Sequence, residues 1–110
     1  MKFLLDEKDV KDILSGKGYC IASNEITVNG KKVGYMLREK PSVSDDSGWV
    51  FFAGDEDEEY CNNPDNFAIF DVNTICNYDN DVIRFIDCPY GTEVELNDNG
   101  KLEIIACSKK

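Results

Sequence analysis

Histidine is absent from this chain of 110 residues. That removes the side chain that most often serves as general base and metal ligand near neutral pH. It also excludes serine-histidine and cysteine-histidine nucleophilic catalysis. No Cys-x-x-Cys pair occurs, which argues against a zinc site and against a thioredoxin-like redox centre. The glycine-lysine pattern of a phosphate-binding loop is missing as well. Long apolar runs are lacking: no window approaches the ~20 apolar residues of a membrane span. The opening residues, with only Phe3, Leu4 and Leu5 in succession, fall short of a signal-peptide core. A cytoplasmic protein is the expectation. The five cysteines are odd in number, so a disulfide framework is not expected. Cys20, Cys76 and Cys107 sit beside apolar residues and read as buried free thiols.

Positive charge is scarce, and from Pro41 to Ile83 there is none. That segment holds Asp45, Asp46, Asp55, Glu56, Asp57, Glu58, Glu59, Asp65, Asp71, Asp79 and Asp81. The whole chain has 22 acidic and 12 basic side chains, a formal net charge of -10, and the middle segment accounts for all of it. Nucleic acid is a poor partner for such a chain, because a phosphate backbone needs a basic surface. An anionic membrane surface is disfavoured for the same reason. Hydrophobic residues make up 42% and aromatics 11%, a composition that folds. The length suits one domain, residues 1–110, around one core.

The stretch Ser47 to Tyr60 organises what is there, joining the single tryptophan and two adjacent phenylalanines to the densest acid. Trp49 to Ala53 read as a buried strand with a glycine at each end. Phe52 would point opposite to Trp49 and Phe51. Gly54 then breaks the strand, and Asp55 is placed to cap a short helix with Glu58 three residues on. Asp55, Asp57 and Glu59 resemble the start of a calcium loop, but Tyr60 stands where that loop needs glycine and Asn66 where it needs glutamate, so no metal site is expected. Carboxylate pairs for glycoside hydrolysis are too easily found in so acidic a chain to be a signal. Two readings of the acid remain: a solvated face that aids solubility, or a docking surface for a basic protein. On the second, the candidate contacts are Asp45, Asp46, Trp49, Asp55, Glu56, Asp57, Glu58, Glu59 and Tyr60, since aromatic anchors beside charge are common in interfaces.

Elsewhere the pattern predicts a helix over Asp6 to Leu14 with Asp6 as its cap, and a strand over Gly18 to Ser23. Asn29-Gly30, between Ile26-Thr27-Val28 and Val33 to Leu37, predicts a two-residue hairpin with Ile26 opposite Val33 and with Val33, Tyr35 and Leu37 on one apolar face. Phe67 to Val72, apolar on both faces, predicts a central strand. Asn73 and Asn80 are expected to cap two short helical turns. A three-residue loop, Asp98-Asn99-Gly100, predicts a second hairpin with Leu96 opposite Leu102 and Val94 opposite Ile104. The fold class expected is α+β: a single compact domain whose mainly antiparallel, bent sheet is built from hairpins with a few short helices.

Several of these residues together resemble a known family. The segment Ile26 to Glu39, ending Val-Gly-Tyr-Met-Leu-Arg-Glu, then Asp46-Ser47-Gly48-Trp49, Gly54-Asp55-Glu56 and Asn73-Thr74-Ile75 look like the immunity-protein-33-like family, over about residues 18–96. The resemblance implies a bacterial immunity-type protein that binds and neutralises a cognate polymorphic toxin by protein-protein occlusion, and the acidic charge of the chain adds the expectation that the toxin domain is basic. It implies no enzyme activity, catalytic residue or cofactor. The alternative is a small acidic regulatory or scaffold domain with no toxin partner.

Overall fold

A computed structural model describes residues 3–107. Six strands form one sheet: β1 (Tyr19–Ser23), β2 (Tyr35–Arg38), β3 (Asp46–Phe52), β4 (Phe67–Asp71), β5 (Glu93–Leu96) and β6 (Leu102–Ala106). Their order is β4-β1-β3-β2-β5-β6. Neighbours run antiparallel except β1 and β3, which are parallel. Three short helices, α1 (Asn24–Thr27), α2 (Glu58–Cys61) and α3 (Val72–Tyr78), and several 3-10 turns complete the α+β domain. Among the described residues no helix is long and apolar enough to cross a membrane.

Strand alternation sorts β3 into two faces. Trp49 and Phe51 go to the core, where α3 and the turn Asn80–Phe85 contribute Val72, Ile75, Val82 and Phe85. Met36 and Val94 complete the same face, in register with Phe51. The sequence Asp46-Ser47-Gly48-Trp49 is a folding device. Asp46 accepts a hydrogen bond from the Gly48 N–H at 2.8 Å, and Ser47 Oγ accepts one from the Trp49 N–H at 3.1 Å. Gly48 is left-handed at φ 87°, and a Cβ there would collide with the Glu39 carbonyl oxygen. Only glycine fits both conditions.

The β5-β6 hairpin has the expected register, with Leu96 opposite Leu102 and Val94 opposite Ile104. The Asn29-Gly30 hairpin does not form. Ser23 Oγ instead accepts from the Glu25 N–H and caps α1 across Asn24–Thr27, so the Ile26 segment is helical. Gly30, at φ 79°, ends the turn, whereas no described residue other than glycine has positive φ. A type I′ turn needs positive φ at both central residues, and Asn29 lacks it. β2 consequently presents Met36 to the core, with Tyr35 and Leu37 on the opposite face.

The expected helix over Asp6 to Leu14 is one 3-10 turn, Glu7–Asp9, to which Asp6 gives no side-chain cap. Its backbone is taken up by α3: Asn73 Oδ1 accepts from the Ile13 and Leu14 N–H groups, and Asn77 bonds both the N–H and the carbonyl of Lys11. Phe67–Asp71 is an edge strand, not a central one. The caps of the next two helical elements are Asp71 and Asp79, not Asn73 and Asn80. Cys20 and Cys76 are buried, whereas Cys107 is exposed because it lies beyond the edge strand β6.

Candidate functional site

Because α3 and the Asn80–Phe85 turn cover one face of the sheet, the other face is left largely open. Register places its residues in rows. Across the middle run Ile69, Ile21, Val50, Leu37 and Glu93, each opposite the next. Above them Tyr19 lies between Asp71 and Asp46. Below them Phe52, Tyr35, Glu95 and Glu103 are successive partners. Ile69 is 73% exposed and Tyr19 52%.

One corner of this face is roofed by α2. The Tyr60 ring meets Phe67 edge-on at 5.9 Å, Phe67 meets Phe52 at 5.7 Å, and Phe52 lies 5.7 Å from Tyr35. The Tyr35 hydroxyl ends this aromatic chain by donating to Glu93 at 2.6 Å. Burial, with the Glu93 carboxylate beside it, pushes the Tyr35 phenol up to about 12.

The acidic segment is divided by β3. Asp45 and Asp46 stand at its start, and Asp55 to Tyr60 follow its end, roughly 20 Å away at ~3.3 Å per residue. Within the second group the carboxylates differ in duty. Asp55 pairs with Lys31, and that ammonium lowers its pKa. Glu56 accepts from the Ala53 and Gly54 N–H groups at 2.8 and 2.9 Å. Asp57, not Asp55, caps α2 by accepting from the Tyr60 N–H at 2.8 Å. Glu58 and Glu59 are exposed, and their carboxylates take no hydrogen bond or ion pair from a described residue. Trp49 is apart from all of them, 1% exposed in the core. A docking surface therefore cannot include its ring. Among the described residues no three His, Cys, Asp or Glu side chains are arranged to hold a metal ion.

Sequence reasoning missed Tyr19, Ile21, Leu37, Val50 and Ile69 as surface. The available signal was that β1, β3 and β4 are apolar at positions of both parities. That pattern fits a strand covered on both sides, and it equally fits a sheet with one apolar face left open.

The model of the Immunity protein Imm33 domain matches residues 20–106. The chain belongs to the Imm33 immunity-protein family. No curated protein and no solved structure matches it. The Imm33 match continues past Leu96 to the end of β6, so all of the sheet except Tyr19 lies within it. The short motifs behind the resemblance are mostly structural in this Imm33 chain. Gly48 and Trp49 build β3, Glu56 closes the loop after it, and Asn73 ties down the N-terminal segment.

Proposed function

We propose that this chain is a cytoplasmic immunity protein that binds a cognate toxin domain and neutralises it by occlusion, without catalysis or cofactor. The observation that carries the proposal is the Imm33 match over residues 20–106. The partner we propose is a basic protein surface. Support for it comes from the formal charge of -10 and from a strand set that holds five acids, Asp46, Asp71, Glu93, Glu95 and Glu103, and a single base, Arg38. Complementary charge accelerates encounter and selects partners. Asp45, Asp55, Glu58 and Glu59, exposed, and the half-buried Asp46 are the acids we place at the rim of the contact. Glu56 and Asp57 support the loop that presents them, and Tyr60 anchors α2.

Co-expression tests this. Each toxin-like reading frame beside the gene is induced in a heterologous bacterium with and without this chain. Restored growth, together with a stable complex of the two purified proteins, is the expected result. Growth arrest by an active neighbouring toxin despite abundant folded chain would overturn the proposal.

A further inference from the structure

We propose that the open sheet face, centred on Ile21, Val50 and Ile69, is the surface on which the toxin seats, and that it receives an apolar anchor flanked by lysine or arginine. This rests on the immunity reading above and names the place and chemistry of the contact. Scattered exposed apolar side chains are ordinary on a protein surface. Here the exposed Ile69 and Ile21 adjoin the half-buried Val50 and Leu37 on adjacent strands in one register row. Ile69, Ile21 and Val50 line a groove of about 470 Å³ together with Phe52 and Phe67. At Phe52 and Cys61 it joins a second groove of about 630 Å³ that reaches Asp55 and Glu95.

Charge selects the occupant. The apolar row ends on Glu93, the row above is flanked by Asp46 and Asp71, and the row below ends on Glu95 and Glu103. Glu95 and Glu103 are direct cross-strand partners, a like-charge pair that a cation from outside would relieve. The one base of the strands, Arg38, is turned to the covered face. Its guanidinium lies 5.9 Å from the Trp49 ring and 4.6 Å from that of Tyr90, and donates to the Ser47 and Cys88 carbonyls. An apolar centre with a charged rim is the usual anatomy of a protein interface, and here the charged strand residues around the apolar row are acidic. A second copy of this chain would bring the same acid rows together at a net charge of -10 each, which repels.

The test uses the full chain and the toxin domain identified by growth protection. Ile21→Thr with Ile69→Thr removes apolar contact while keeping β-branched residues that suit a strand. Ile69→Thr alone, at a 73% exposed edge position, guards against misfolding of the pair. Ile13→Thr, 42% exposed beside α3, is the control on the other layer. The double variant should bind about tenfold or more weakly, mainly through faster dissociation. Ile69→Thr should fall between it and wild type, and Ile13→Thr should match wild type. Wild-type affinity in the folded double variant would place the toxin elsewhere, with protection by the wild type still standing. A wild-type homodimer in sedimentation that the double variant dissociates would make a second copy the occupant and overturn the proposal. Failure of the wild type to protect against an active neighbouring toxin would overturn this inference and the immunity reading together.

Discussion

The indole nitrogen of Trp49 donates a 3.0 Å hydrogen bond to the carbonyl oxygen of Ile86. The bond joins the central strand β3 to the end of the turn that covers it. The other donor to that carbonyl, Arg38 Nη1, is 3.5 Å away and close to the limit of a useful bond.

Trp49→Phe should therefore lose core volume and leave the Ile86 carbonyl poorly satisfied. We expect a fall of about 2–4 kcal/mol in unfolding free energy, combining a cavity with a lost buried bond. Urea denaturation followed by circular dichroism measures it. A change of under about 0.5 kcal/mol, the range of an ordinary surface substitution, would show that the indole does not hold the two layers together.

The acids after β3 should separate by role. Asp57→Ala removes the α2 cap and should cost about 0.5–2 kcal/mol. Glu56→Gln weakens the bonds to Ala53 and Gly54 and should also destabilise. Glu59→Gln should stay within about 0.5 kcal/mol of wild type. Thermal melts of the three variants give the ranking, and equal melts would contradict it.

Rim charge should act on encounter. Asp45→Asn, Glu58→Gln and Glu59→Gln combined leave the loop's internal bonds intact, so binding is read without loss of fold. Association with the toxin domain should slow at low salt, the difference should shrink at high salt, and dissociation should change little. Stopped-flow mixing at two ionic strengths measures this, and equal association rates at low salt would assign the acid to solubility alone.

Tyr35 couples the open face to pH. Its phenol is raised from 10.0 to about 12, by burial first and then by the bond to Glu93. The folded state holds this proton more tightly than the unfolded chain. The Tyr35 contribution is therefore fully present below pH 10 and should be lost as pH rises from 10 to 12. Tyr35→Phe should flatten that part of the stability profile. A phenolate absorbance titration of the folded protein should show a step near pH 12 that Tyr35→Phe removes.

Thiol reactivity should follow burial. Cys20 and Cys76 are buried in the core, and burial raises both thiols, Cys76 to about 11. Cys61 and Cys107 are exposed. A thiol reagent at neutral pH should label the exposed pair in the native protein and the buried pair only on unfolding. Rapid native labelling of Cys20 would mean that β1 opens without global unfolding.

Alternation and loop length were enough for the β5-β6 hairpin, because its register is set by neighbours a few residues apart. The same local logic failed at Asn29-Gly30. There Ser23 offers a competing cap, and β2 finds its partners in β3 and β5 instead of in the Ile26 segment. The N-terminal segment failed likewise, since its hydrogen bonds come from Asn73 and Asn77, about sixty residues away in sequence.

By itself the sequence determined the α+β class, the strands around Cys20 and Phe51, the concentration of negative charge and the family. Those properties depend on composition, short-range pattern and motif. The tertiary structure decided which apolar parity is buried, because burial depends on where the covering helices land. It made Phe67–Asp71 an edge, buried Trp49 beneath the Asn80–Phe85 turn, and divided the acid between the two ends of β3. The open row through Ile69, Ile21 and Val50 exists only once β4, β1 and β3 lie side by side, since no two of its members are neighbours in the chain.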